Sequence, residues 1–237
     1  MTDSGLRQRK TSAAPAADAD PAATKTGFPY SLAVFRPSAC PHFNLVCTWA
    51  ALLVVVCAIT ECTSSTEYGK FGHDAKFAVN PRLGWWLMEL PVTVTFLYFF
   101  FVRGGSQSRN LVPRVMATVM VVHYSYRGWI FPYLVRAAPG ATSNFSLVPA
   151  VGGWIVTVTH GYLNARWFAE HGKHLTTAWF RDPRFLVGLS LYISGLVGLV
   201  YHDHIIRELR STPGPRYRIP YGGTFEYVTQ AVYFWEL

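Results

Sequence analysis

The chain has 237 residues, of which only 14% are charged, 51% are hydrophobic and 16% are aromatic. Soluble domains carry about 25% charged residues, and disordered chains combine high charge with few aromatics, so both classes are excluded. The net charge of +8 does not point to a nucleic-acid partner, because the basic residues are scattered between apolar blocks, where they suit membrane loops and headgroup surfaces.

Residues 1–40 read as a disordered polar N-terminal tail. The stretch from Ser12 to Thr26 is rich in Ala, Asp, Pro and Thr and has no apolar core of a cleavable signal. The remainder, 41–237, reads as one transmembrane domain. Five spanning helices are predicted: 43–62, 84–102, 111–135, 146–165 and 185–201. Each has close to the ~20 residues that cross a ~30 Å hydrocarbon core. A helix is required because lipid offers the backbone no hydrogen-bond partners. Trp85, Trp86, Trp129, Tyr133 and Trp167 fall near span ends, as interfacial aromatics do. A sixth apolar block begins near Phe225 and is too short to span, so it reads as an element interrupted by the end of the chain. The fold class expected is an all-α, multi-pass transmembrane helical bundle.

Cys40, Cys47, Cys57 and Cys62 match no zinc spacing and read as small hydrophobes; no metal is expected. Basic residues slightly favour the tail side of an alternating topology, which suggests a cytosolic tail. A glycosylation sequon starts at Asn144.

Charged groups at membrane depth cost ~2.5–3.5 kcal/mol on insertion scales and are functional candidates by default. Glu89 stands inside the second span, just before Pro91. His123, Tyr124 and Arg127 share a face of the third span at helical spacing. A neutral carboxyl and a Tyr hydroxyl beside a cation suit stabilisation of a developing oxyanion. The alternative is interhelical pairing and a snorkelling Arg. Asp203, Arg207 and Arg210 share a face just beyond the fifth span. A Gly222-Gly223 turn follows among further arginines. Backbone N–H groups and guanidinium forks suit pyrophosphate, and anionic headgroups suit them equally. No GxGxxG or GxxxxGK[ST] occurs, so soluble dinucleotide folds are unsupported.

Four segments in order carry a resemblance: Trp85-x-x-x-Glu89-Leu90-Pro91, His123-Tyr124-x-x-Arg127, Asp182-Pro183-Arg184-Phe185 with the Gly-rich span after it, and HDHIIRELR followed by YRIPYGGTFEYV. Together they resemble the steroid 5-alpha-reductase family over roughly residues 68–237. The resemblance implies a seven-helix fold of the endoplasmic reticulum, of which five helices and part of a sixth are present. It implies NADPH bound from the cytosolic side and reduction of a lipid-like enone within the bilayer. Glu89 and Tyr124 would hydrogen-bond the carbonyl oxygen. Asp203, Arg207, Arg210, Tyr217 and Arg218 would form the cofactor shell, with Arg127 and Arg136 as phosphate partners. Trp85 and Glu236 would join the polar network and substrate wall. The chain departs from the family where Leu199 and Val232 replace asparagines, and where His160-Gly161-Tyr162-Leu163-Asn164 replaces Asn-Gly-x-Leu-Gln. Family topology puts the 63–83, 136–145 and post-201 loops in the cytosol, opposite to the basic-residue bias, and predicts Asn144 unglycosylated. Alternatives are a polyprenol or enoyl-thioester reductase, and an inactive relative acting as a membrane interaction protein.

Overall fold

A computed structural model describes residues 38, 40–64, 77–136, 145–215 and 218–237. The tail, Asn144 and Tyr217 lie outside the described residues, apart from Ser38 and Cys40. Among the described residues the protein is helical, and three helices there are long and apolar enough to cross a membrane: Pro41–Thr63, Pro81–Arg103 and Pro183–Ser211.

Helix α1 (Pro41–Thr63) starts with Pro at its first turn, where a missing N–H costs nothing. Most of its large apolar side chains, among them Leu45, Leu52 and Ile59, face outward, as a lipid-facing helix requires. Helix α2 (Pro81–Leu97) is capped by Asn80, whose side chain accepts from the Arg82 N–H at 2.9 Å. It continues as a π-helix over Tyr98–Arg103 and stops at Gly104, which takes φ +59°.

The third rod is α3 (Leu111–Tyr124), a π-helix over Ser125–Ile130, and the single turn α4 (Phe131–Leu134). Helix α5 (Leu147–Arg166) starts at Ser146, whose hydroxyl accepts from the Val148 N–H, and widens to π geometry over Trp167–His171. Helix α6 (Pro183–Ser211) is capped by Asp182, which accepts from the Arg184 N–H at 2.9 Å. The Arg184 guanidinium also bonds that carboxylate and holds its pKa down at about 2. Helix α6 runs ten residues beyond the predicted end of the fifth span. The block near Phe225 forms a 3₁₀ turn (Gly223–Glu226) and the one-turn helix α7 (Ala231–Phe234).

The two-residue strands β1 (Ala78–Val79) and β2 (Phe145–Ser146) pair antiparallel, Ala78 with Ser146 and Val79 with Phe145. They tie together the starts of α2 and α5, which then run side by side in the same direction. The contact is close because glycine permits it. A Cβ on Gly161 would lie 2.7 Å from the Val92 carbonyl oxygen. Thr157 donates across the same seam to the Met88 carbonyl at 2.8 Å. In lipid, small residues and interhelical hydrogen bonds are the main means of holding helices together. Phe96, Phe100, Ala117, Ala165 and Ala169 close the core at one end of the seam.

Candidate active site

The π-helix at Ser125–Ile130 decides the site. A regular α-helix would spread residues 124–128 around its circumference. The extra residue in the turn instead lets Tyr126, Arg127 and Gly128 all be buried together. Gly128 lies against the α2 backbone at Glu89, with room for a Cβ only 3.3 Å from the Glu89 carbonyl oxygen. This brings the rod bearing Tyr124 and Arg127 onto the half-buried Glu89.

Arg127 is the hub. Its Nε lies 2.7 Å from Glu236 Oε1. Its guanidinium sits 4.9 Å from the ring centroids of both Trp85 and Phe131, close enough for cation–π attraction. Glu89, Tyr124, Arg127 and Glu236 stand within electrostatic reach of one another. Tyr124 also lies 5.9 Å, ring to ring, from His160. His123 turns to Tyr192 on α6, at 6.3 Å, besides its neighbour Tyr124.

Asp203 on α6 is buried, and Tyr126 donates its hydroxyl to Asp203 Oδ2 at 2.9 Å. Tyr126 did not stand out in the sequence, because α-helical spacing turns it away from the face of Tyr124 and Arg127. Arg207 follows one turn after Asp203. Its Nη1 is buried with no hydrogen-bond partner among the described residues. Arg210 Nη1 donates to the Arg136 carbonyl at 3.0 Å, so this exposed end of α6 is held beside Arg136.

Other sequence candidates are engaged differently. The Arg218 guanidinium bonds the carbonyls of Leu209 and Thr212 and closes the C-terminal end of α6. The Gly222 N–H donates to Glu226 Oε1 at 2.7 Å, so a carboxylate of the chain already occupies that part of the Gly-Gly turn. Leu199 and Val232 are both buried and pack in one apolar cluster with Tyr126. Beside them the Trp235 indole covers Gly198 so closely that no other residue fits there.

A buried guanidinium N–H left open at Arg207, with Arg210 and Arg136 next to it, fits the phosphate oxygens of a dinucleotide. The arrangement thus joins an arginine-rich end of α6 to an acid–phenol–guanidinium cluster among the helices.

Comparison with known proteins fits this arrangement. A family profile described as 3-oxo-5-alpha-steroid 4-dehydrogenase matches residues 143–237. The chain is 30% identical over 195 residues to 3-oxo-5-alpha-steroid 4-dehydrogenase 1 of Homo sapiens, covering 79% of this chain and 73% of that protein. The chain belongs to the 3-oxo-5-alpha-steroid 4-dehydrogenase family. The Mus musculus type 1 protein is 34% identical over 173 residues, with 73% and 66% covered. The Sus scrofa type 2 protein is 28% identical over 196 residues, with 80% and 72% covered. Members of this family of dehydrogenases are oxidoreductases that act on CH–CH groups. The matches extend well before residue 143, so they take in α2 and the Glu89 region as well as α6.

Proposed function

We propose that the chain reduces the carbon–carbon double bond of a hydrophobic enone such as a 3-oxo-4-ene steroid, with NADPH as reductant. The observation that carries this reading is the convergence of Glu89, Tyr124, Arg127 and Glu236 among the packed helices. Arg207, Arg210 and Arg136 would hold the phosphates of the cofactor, with Asp203 fixed by Tyr126 beside them. When bound, the reduced nicotinamide supplies two electrons as hydride to the β carbon of the enone.

Negative charge then grows on the conjugated carbonyl oxygen. Glu89 and Tyr124 donate hydrogen bonds to that oxygen and stabilise the enolate, and one proton from the medium then adds to its α carbon to give the saturated ketone. Arg127 adds positive charge beside them, while Glu236, Trp85 and Phe131 keep its guanidinium in place. The apolar surroundings exclude water, which strengthens each of these interactions.

Glu89→Leu, which has no donor, and Tyr124→Phe each test the assignment. Loss of one oxyanion donor costs ~10²–10³ in turnover. That drop is expected for NADPH-dependent reduction of a 3-oxo-4-ene steroid in membranes, with the folded protein retained. Turnover at the original rate in either variant refutes the roles.

The burial of Leu199 and Val232 as hydrocarbon supports a second reading, in which the chain holds NADPH weakly and acts as a membrane interaction protein. Quenching of tryptophan fluorescence by NADPH separates the two: saturable quenching supports the reductase. The protein would lie in the endoplasmic reticulum membrane, with the α6 C-terminal end in the cytosol. Asn144 is then unglycosylated, and a mobility shift on glycosidase treatment overturns that orientation.

A further inference from the structure

We infer that His202 is a positioning residue: its two ring nitrogens fasten the turn after α6 to that helix, and through Trp235 they set Glu236 against Arg127. His202 has no place in the roles derived above, yet it is 2% exposed and both its nitrogens are engaged. Nδ1 lies 2.6 Å from the Gly198 carbonyl oxygen, one turn back on α6. Nε2 accepts from the Thr224 backbone N–H at 2.9 Å.

The two bonds fix the chemistry of the ring. A nitrogen that accepts from an N–H carries no proton, so the ring proton is on Nδ1 and donates to Gly198. The imidazole is therefore the neutral Nδ1–H tautomer. Such a ring is an oriented connector with one donor and one acceptor.

From the ring the connection runs onward. Thr224 Oγ1 accepts from Trp235 Nε1 at 2.9 Å. The Trp235 ring stacks on His202, centroids 6.1 Å apart and 23° from parallel, and Phe225 meets the same imidazole edge-on at 5.3 Å. Glu236 follows Trp235 and forms the 2.7 Å pair with Arg127. The turn is shaped for this approach. Gly223 takes φ +57°, and a Cβ there would lie 2.7 Å from His202 Nε2. Adjacent residues on a helix point about 100° apart. That is why α6 can direct Asp203 to Tyr126 and His202 to the turn.

The inference rests on the proposed reductase site for its catalytic consequence, and its structural half stands apart from it. His202→Phe keeps an aromatic ring against Trp235 but has neither nitrogen. His202→Gln places an amide oxygen near Nε2 that accepts from Thr224. Hydrogen exchange of the 222–228 segment in the full chain in detergent reads the fastening directly. Exchange is expected to speed about tenfold in His202→Phe, the worth of one hydrogen bond, and to stay near the original rate in His202→Gln. Unchanged protection in the Phe variant overturns the inference whether or not the protein turns over a steroid.

The catalytic half is read from kcat/KM. His202→Phe lowers it and His202→Gln restores it. Combining His202→Phe with Glu236→Gln is expected to cost no more than Glu236→Gln alone, because both break one connection. Strict additivity, or equal losses in the Phe and Gln variants, overturns the positioning role.

Discussion

Removing the Tyr126 hydroxyl tests whether the π-helix organises the site. Tyr126 and Asp203 are 9% and 6% exposed, and the hydroxyl lies 2.9 Å from Oδ2. In Tyr126→Phe the carboxyl oxygen stays buried and loses that donor. Hydrogen bonds to charged groups contribute ~1.5–3 kcal/mol. Side-chain pairs between transmembrane helices average ~0.6 and reach ~1.7. The ranges meet near ~1.5 kcal/mol, about a tenfold change in the folded-to-unfolded ratio. Titration with SDS in mixed micelles, followed by tryptophan fluorescence, measures it. Asp203→Leu removes the other partner at similar volume. The double variant Tyr126→Phe/Asp203→Leu is expected to be clearly more stable than the sum of the singles predicts, because no polar atom of the pair is left alone. If Tyr126→Phe unfolds within about 0.3 kcal/mol of the original protein, or the two changes simply add, the pair is not what ties the third rod to α6.

Two further outcomes follow from local geometry. Gly161→Val is expected to destabilise by ~1–3 kcal/mol in the same titration, since even its Cβ lies 2.7 Å from the Val92 carbonyl oxygen. Gly152→Ala, with nothing within 4 Å of the added carbon, serves as the neutral control. At the start of α6, the hydrogen bond from Arg184 lowers the Asp182 pKa to about 2 from 3.8. A depressed folded value means the carboxylate cap is fully present above the unfolded value and is lost as pH falls through about 2. Protection of the 184–186 amides, taken relative to the intrinsic exchange rate at each pH, should therefore hold at pH 4 and fall only as pH drops through about 2; a loss of protection already near pH 4 contradicts that cap.

The class of the protein was legible in the sequence for a physical reason. In lipid a long apolar segment satisfies its own backbone only as a helix, so long apolar blocks declare themselves. The rods begin and end within a few residues of their predicted limits, except α6. There the charged stretch from Asp203 to Arg210 stays helical because Tyr126, Arg136 and Arg218 engage it, and partners from elsewhere in the chain cannot be read from periodicity. Glu89, Tyr124 and Arg127 were visible because a costly polar group in an apolar run stands out.

Their grouping was partly legible and partly not. The sequence, read at α-helical spacing, puts His123, Tyr124 and Arg127 on one face and leaves Tyr126 aside. The π-turn inserts a residue and buries Tyr126, Arg127 and Gly128 together instead. Nothing in the composition of the third span signals that turn, within which Gly128 lies against α2 at Glu89. Likewise His202 was given no role of its own in the HDHIIRELR run, where Asp203, Arg207 and Arg210 stood out. Only the packed turn shows that its two nitrogens are committed to Gly198 and Thr224. The low charge content determined by itself that this is a membrane protein with a few exceptional polar residues. Which of them meet, and through which atoms, was decided by helix packing, because hydrogen bonds between distant segments depend on position to within tenths of an ångström.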